Sequence, residues 1–216
     1  MNINADFNQT AIVHAEEYQW VPSTQQGVER MMLDRVGDEK ARASSIVRYE
    51  PNSNFPRHNH PGGEEILVLS GTFSDDTGDY PAGWYLRNPP GSAHSPHSHI
   101  GATIFVKLWQ MSADEKAHVR INTKEKACWQ TVDNREVCPL FSNEHEVVKL
   151  CKVNQGGQLS HKANTQTELL ILSGTLNVDN VSYPSGSWLR LANDHILDVI
   201  AGEQATVLYV KESVAS

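Results

Sequence analysis

The 216-residue sequence predicts an all-β protein made of two tandem barrels, and two observations carry this prediction. First, a unit of about a hundred residues occurs twice along the chain. Second, each unit consists of short runs rich in Val, Ile, Leu, Phe, Tyr and Trp, separated by clusters of Gly, Pro, Asn and Asp. Many short strands joined by such turns are typical of sandwiches and barrels.

The repeat is visible directly in the sequence. Residues 65–72 read EILVLSGT and residues 168–175 read ELLILSGT, at an offset of 103 residues. The same offset relates YPAG at 80–83 to YPSG at 183–186, with no insertion between these matches. A fixed period of this length indicates repeated structural units. We therefore expect two homologous domains.

The domain boundary is predicted from composition. The polar stretch from 112 to 126 suits a connection, so the predicted domains are residues 1–112 and 113–216. Within the first, SIVRY at 45–49 alternates as a half-buried strand does. Helices are expected to be minor, with residues 27–33 as the best candidate for a short one.

Composition excludes several classes of function. The formal net charge of −8 argues against direct binding of nucleic acid or acidic membrane surfaces. No apolar run reaches the roughly 18 residues of a membrane-spanning helix, and the N-terminus lacks the features of a secretion signal, so we expect a cytoplasmic protein. Cys128, Cys138 and Cys151 form no metal-binding or disulfide pattern and are expected to be buried free thiols.

Four residues are candidates for binding one divalent metal ion. His58 and His60 are two apart on a predicted strand, so their imidazoles point to the same face. The Pro-Gly-Gly turn at 61–63 reverses the chain, and Glu64 begins the next strand beside them. A second turn then delivers His94. Three imidazoles and a carboxylate suit Zn, Fe, Ni, Mn or Cu, in a site with three or four protein ligands.

The second repeat lacks this set of residues. At the offset of 103, His58 corresponds to His161, whereas His60, Glu64 and His94 correspond to residues that bind metal poorly, namely Ala163, Thr167 and Leu197. This joint loss indicates that the four residues form one functional unit. The C-terminal domain is therefore expected to hold no metal.

Other residues of these types have structural explanations. Glu65 corresponds to Glu168, so it persists where the site does not, and we expect it to face away from the metal. Isolated histidines are usually surface or satisfied core residues, and four tryptophans are expected in cores or domain contacts. The histidines explained in this way are His14, His118, His145 and His161; His97, His99 and His195 are weaker functional candidates near the barrel mouths; the tryptophans are Trp84, Trp109, Trp129 and Trp188.

Two segments resemble the sequence motifs of the cupin family, whose fold is a jelly-roll barrel (a double-stranded β-helix). The pattern H-x3-E-x6-G, preceded by H-x, runs from His58 to Gly71 and is similar to the first motif, and G-x5-P-x-G-x2-H from Gly83 to His94 is similar to the second. The sequence departs from the family at two positions that are not ligands, because Asn52 and Ser98 replace the usual Gly and Asn. The resemblance implies two tandem cupin barrels.

The surrounding sequence resembles the ChrR-type cupin, the sensory, zinc-carrying half of an anti-sigma factor. This likeness covers roughly residues 20–110 and implies that His58, His60, Glu64 and His94 bind zinc, with Fe, Ni or Mn as alternatives. ChrR proteins bind their sigma factor through a separate helical domain with an H-x3-C-x2-C signature. No such signature occurs here, so the resemblance implies the sensory module alone.

Two functions from different classes follow. The first is a regulatory metal-binding sensor that acts on a protein partner, such as a sigma factor, or responds to a small molecule in the N-terminal barrel. The alternative is a metal-dependent dioxygenase of a small diketone or hydroxy-ketone, with Glu64 as a ligand or a base; no catalytic residue is otherwise assigned. A homodimer is expected from the resemblance, since it is common among cupins.

Overall fold

The computed structural model describes residues 1–38, 40–159, 165–192 and 199–214. These residues form β-strands with two short 3-10 turns, in agreement with the predicted all-β fold. No helix within these ranges is long and apolar enough to cross a membrane.

The strands are short, and most are joined by tight turns. Those up to residue 122 are β1 (Asn2–Ile3), β2 (Ala11–Val13), β3 (Val21–Pro22), β4 (Val28–Val36), β5 (Arg42–Tyr49), β6 (Ser53–Asn54), β7 (His58–His60), β8 (Glu64–Asp75), β9 (Gly78–Pro81), β10 (Trp84–Asn88), β11 (Ser92–His94), β12 (His97–Ser98), β13 (Ala102–Leu108) and β14 (Val119–Asn122). The remaining strands are β15 (Gln130–Val132), β16 (Arg135–Ser142), β17 (Glu146–Val153), β18 (Gln158–Leu159), β19 (Thr165–Ser173), β20 (Thr175–Val178), β21 (Val181–Pro184), β22 (Trp188–Leu191), β23 (Val199–Ala201) and β24 (Thr206–Val214). The 3-10 turns span Ala15–Glu17 and Lys126–Cys128.

The chain divides into two compact units. The first comprises Met1–Ala5 and Gln19–Lys124, and the second comprises Asp6–Tyr18 and Glu125–Ser216. This division differs from the boundary predicted between residues 112 and 113. The difference arises because β14 pairs with β10 of the first unit, while β2 pairs with β22 of the second.

The first unit is built on a large antiparallel sheet. Its main strand order is β1-β4-β5-β13-β8-β10-β14, and a separate ribbon pairs β7 with β11. Alternate side chains of the central strands point to a common apolar interior, as the two-residue period of a strand requires. The buried core consists of Val28, Tyr49, Ile66, Val68, Phe73, Tyr80, Leu86, Ala102, Ile104 and Val106.

The prediction of a helix at residues 27–33 was wrong. Gly27 adopts a positive φ of 74°, and the chain then enters β4, which pairs with β5 along its length. The sequence VERMMLDRV does not alternate strictly between polar and apolar residues. This irregularity corresponds to a bulge in β4 between Met32 and Asp34, where the register with β5 shifts. Pairing with β5 and burial of one face outweigh the local preference of this stretch.

The second unit has the same plan. Its larger sheet has the order β15-β16-β17-β24-β19-β22-β2, and its smaller sheet has the order β18-β23-β20-β21. The offset of 103 residues does not extend to the last strand. Glu65 pairs with Lys107 in the first unit and Glu168 with Lys211 in the second, so the offset at the last strand is 104 residues instead of 103. The second unit therefore holds one extra residue before β24.

Candidate metal centre

Three histidines converge at the ribbon formed by β7 and β11. His94 lies directly opposite His58 in the antiparallel register, and His60 lies two residues further along β7. Because alternate side chains of a strand share a face, the three imidazoles point to the same side. One ring nitrogen from each histidine lies within 4.8 Å of those of the other two, and the Nε2 atoms of His60 and His94 are 3.0 Å apart.

Glu64 adjoins this cluster from the first position of β8. Its Oε2 atom lies 3.5 Å from the Nε2 of His60 and 3.3 Å from the Nε2 of His94. The side chain is buried, as are those of the two histidines. Glu65 faces the opposite side of the strand, where its carboxylate accepts a hydrogen bond of 3.0 Å from Arg87. The structure thus separates the two adjacent glutamates as the strand alternation predicts.

Hydrogen bonds fix the orientation of two imidazoles. The Nδ1 of His58 lies 2.9 Å from the carbonyl oxygen of Pro56, which can only accept. The Nδ1 of His94 lies 3.1 Å from Oδ2 of Asp75. Burial acts to raise the pKa of Asp75, but hydrogen bonds from His94 and Thr77 outweigh it and lower the pKa to about 2, so this carboxylate also only accepts. Both histidines therefore carry their hydrogen on Nδ1 and present the lone pair of Nε2 to the cluster.

The Glu64 carboxylate is oriented by a chain of two further residues. Asn88 lies opposite Glu64 in the sheet and donates a hydrogen bond of 3.0 Å to its Oε2 atom. The amide oxygen of Asn88 in turn accepts a hydrogen bond of 2.7 Å from Arg120. This second bond directs the NH2 group of Asn88 towards Glu64. The carboxylate is thereby held beside the imidazoles.

The two central histidines differ in their electrostatic environment. Burial lowers the pKa of His60, and the nearby Glu64 only partly offsets this effect. Burial also acts to lower the pKa of His94, but the hydrogen bond from its ring to Asp75 and the charge of Glu64 raise it overall. His60 is therefore neutral at neutral pH, as a metal ligand must be.

A cavity of about 340 Å³ opens beside the cluster in the first unit. His58, His60 and Glu64 form part of its wall, so the cluster is accessible from the cavity. Most of the remaining wall is apolar and includes Val28, Val47, Phe55, Ile104, Val106 and Leu108. Arg30 and Tyr49 also line it. A volume of this size lies at the low end of small-molecule sites, which measure roughly 300–1,000 Å³.

The sequence interpretation missed the residues that support the cluster. Asp75 and Asn88 have no motif of their own, but the repeat contained a signal. At the offset of 103 they correspond to Val178 and Leu191, both of which are buried in the apolar core of the second unit. Asp75 and Asn88 are thus absent from the repeat that lacks the cluster.

The other candidates lie away from the cluster. His97 belongs to β12 and its Nδ1 lies 3.3 Å from the carbonyl oxygen of Ser95, while His99 is exposed. Trp188 is buried as expected, but Trp109 is 36% exposed and lines the cavity. His161, Ala163, His195 and Leu197 lie outside the described residues.

The two cupin-like motifs retain their backbone geometry despite the two departures. Asn52, which replaces the usual Gly, has a φ of 61°, a left-handed conformation that Asn tolerates. Ser98, which replaces the usual Asn, donates a hydrogen bond of 2.7 Å to the carbonyl oxygen of Thr72. Both turns are therefore formed.

Comparison with known proteins agrees with the geometry. The sequence profile described as the ChrR Cupin-like domain matches residues 8–112, the stretch that contains the histidine cluster. The chain contains a cupin domain. A comparison of this cupin with curated protein sequences gave no significant match.

Solved structures resemble the cupin over nearly its whole length. The bacterial pirin YhhW from Escherichia coli, in complex with nickel(II), has a TM-score of 0.73 at 12% identity and covers 96% of this chain and 100% of its own. A putative dioxygenase from Nostoc punctiforme has a TM-score of 0.76 at 13% identity, with coverages of 96% and 83%. Ylba from Escherichia coli has a TM-score of 0.71 at 17% identity, with coverages of 96% and 92%. At these identities the likeness establishes the fold.

The cluster suits a divalent metal ion. In their neutral forms, His58 and His94 present unprotonated Nε2 atoms to the cluster, and a carboxylate oxygen stands beside the imidazoles of His60 and His94. Two nitrogen atoms 3.0 Å apart in a buried site require either a proton or a cation between them. Imidazole and carboxylate donors are the ligands preferred by zinc and by other borderline divalent ions.

Proposed function

We propose that the first unit binds one divalent metal ion through His58, His60, Glu64 and His94, and that this centre serves a regulatory, ligand-sensing role. The convergence of the three imidazoles within 4.8 Å is the observation that carries the proposal. Zinc is the favoured ion because three imidazoles and one carboxylate complete a tetrahedral shell. Iron, nickel and manganese are the alternatives.

The match to the ChrR Cupin-like domain supports a regulatory role. A signal molecule that enters the cavity beside the metal centre would alter the contacts of the centre, and a partner protein would respond to that change. Asp75 and Asn88 would keep the ligands in place while this occurs, because they fix the orientation of His94 and Glu64. A sigma factor is one candidate partner.

A metal-dependent dioxygenase of a small diketone or hydroxy-ketone is the second candidate. The cavity favours it, because His58, His60 and Glu64 are accessible from a space of metabolite size. A bound metal would act as a Lewis acid towards a substrate oxygen. The apolar wall would exclude water, and Glu64 would be available to accept a proton if it left the metal.

Metal analysis tests both proposals. The protein would be purified without added metal, and its metal content measured by plasma mass spectrometry in the wild type and in His60→Ala and His94→Ala variants. We expect one metal ion per wild-type chain and none in the variants. Zinc would support the sensor, whereas iron together with oxygen uptake on a diketone panel would support the dioxygenase. An unchanged metal content in either variant would contradict the ligand assignment.

A further inference from the structure

The cavity beside the candidate metal centre contains two guanidinium groups. Arg30 lies on β4 opposite Val47, and both side chains line the cavity. Arg35 is an odd number of residues away, so in a regular strand it would face the other side. The bulge between Met32 and Asp34 shifts the alternation and brings Arg35 to the cavity wall as well. The local irregularity of β4 thus places two positive charges at one site.

The charge of Arg30 is poorly compensated. Its Nη2 atom donates a hydrogen bond of 2.9 Å to Ser23, while its Nε atom is buried and has no hydrogen-bond partner. Within the described parts of the chain, neither Arg30 nor Arg35 forms an ion pair with a carboxylate. Burial lowers the pKa of Arg30, and the neighbouring charge of Arg35 lowers it further. A half-buried cation whose Nε donor is buried and unused is stabilised by an anion that enters from the cavity.

Tyr49 also lines the cavity. Burial and the charge of Glu64 raise its pKa, while the charge of Arg30 acts to lower it. The phenol is therefore protonated at neutral pH and close enough to both groups to experience their charges. It provides a hydrogen-bond donor in the same cavity wall as Arg30 and Glu64.

The second unit lacks this arrangement. Val47 and Cys151 occupy equivalent positions in the two sheets. Arg30 pairs with Val47 and Val137 pairs with Cys151, so Val137 is the counterpart of Arg30. Two residues further along the same strands, Val153 is the counterpart of Tyr49. Polar groups at both positions are thus replaced by valine in the unit that also lacks Glu64. This shared loss associates Arg30 and Tyr49 with the metal-binding cluster as parts of one site.

We infer that the cavity binds a small organic carboxylate with an apolar body. Its carboxylate group pairs with Arg30, and a second oxygen atom, outside that carboxylate, reaches the metal centre. The position of that second oxygen rests on the proposed function, whereas the pairing with Arg30 does not. A planar carboxylate matches the fork of N–H donors on a guanidinium. The valine, isoleucine, leucine and phenylalanine side chains of the wall match an aromatic or branched body.

Binding of phenylpyruvate to the zinc-loaded protein tests this inference. The methyl ester of the same compound is the neutral control, since it keeps the apolar body and removes the charge. Isothermal titration calorimetry would compare the wild type with Arg30→Gln. Arg48→Gln is the matched control variant, because the substitution removes the same charge outside the cavity. Arg48 lies on the adjacent strand β5 and pairs with Glu29.

The wild type is expected to bind phenylpyruvate at least ~10-fold more tightly than the ester. Arg30→Gln should weaken binding of phenylpyruvate roughly 10- to 100-fold and leave ester binding unchanged, whereas Arg48→Gln should behave as the wild type. Equal affinities in the two variants, equal binding of acid and ester, or no binding of phenylpyruvate to the wild type would overturn the inference.

Zinc content separates this inference from the proposed function. Arg30→Gln does not touch a ligand, so one zinc per chain is expected in every sample. If the wild type holds no zinc but binds phenylpyruvate in an Arg30-dependent manner, the proposed function fails and the carboxylate site stands. If zinc is bound and the Arg30 substitution has no effect, the carboxylate site alone fails.

Discussion

Replacement of Asp75 by Asn should weaken metal binding without removing a ligand. The Oδ1 atom of Asp75 accepts two hydrogen bonds from Thr77, at 2.8 Å from the backbone N–H and 2.6 Å from the hydroxyl group. Its Oδ2 atom faces the Nδ1 of His94 at 3.1 Å. An asparagine has only one acceptor oxygen, so it cannot serve Thr77 and His94 together.

The two donors of Thr77 decide which way the amide turns. With its oxygen towards Thr77, the NH2 group of the asparagine donates to the Nδ1 of His94. The imidazole then carries its hydrogen on Nε2, the atom that would bind the metal. Loss of such an orienting partner typically costs 10- to 100-fold in metal affinity, which corresponds to about 1.4–2.8 kcal/mol.

Competition with a chromophoric zinc chelator measures this effect. Asp79→Asn is the matched control, because the substitution removes the same charge as Asp75→Asn. Asp79 is exposed and accepts a hydrogen bond of 2.6 Å from Ser74. We expect Asp75→Asn to raise the dissociation constant for zinc and Asp79→Asn to leave it unchanged. Equal constants in the two variants would refute the argument that Asp75 sets the tautomer of His94.

Four further outcomes are expected. His60→Ala should lower the free energy of unfolding measured with saturating metal by about 2.7 kcal/mol at a metal concentration ~100 times the dissociation constant, and an equal loss in metal-free protein would contradict this. Bound metal should dissociate as the pH falls below about 6.5, because protons compete for the imidazole lone pairs; retention at pH 4 in an equilibrium dialysis would argue against histidine ligands. In the folded protein, iodoacetamide should modify Cys128 before Cys138, whose pKa is raised to about 11 by burial and by the adjacent Cys128 thiol, as peptide mapping would reveal. Gly71→Ala should destabilise the first unit by about 2–4 kcal/mol in urea unfolding, since Gly71 has a φ of 67° and a Cβ there would lie 2.0 Å from the carbonyl oxygen of Gly101.

The sequence predicted the convergence of His58, His60 and His94 because the geometry of this cluster is local. His58 and His60 share a strand, Glu64 follows after one turn, and the antiparallel ribbon that brings His94 opposite His58 begins and ends at turns marked by Pro and Gly. Each of these relations depends on strand alternation and turn chemistry, which a sequence displays directly.

The residues around the cluster depend on long-range register, which the sequence does not display. Arg30 was assigned to a candidate helix, and only the pairing of β4 with β5 brings it to the cavity wall. Asp75 lies near the end of β8, nineteen residues before His94, and no motif connects the two. The pairing of β2 with β22 is similarly invisible, because it joins segments from opposite ends of the chain.

That last pairing has a consequence for how the protein forms during synthesis. Asp6 and Arg190 are joined by a hydrogen bond across 184 residues, so the contact order of the second unit is high. The segment 6–18 leaves the ribosome well before its partner strand β22 is made. Its backbone hydrogen-bonding groups and the side chains of Ile12 and Val13 must stay unpaired until β22 has been synthesised. Deletion of the segment 6–18 should therefore impair folding of the second unit. The last step in the folding of that unit should be the docking of β2 onto β22, although β2 is synthesised before the rest of the unit.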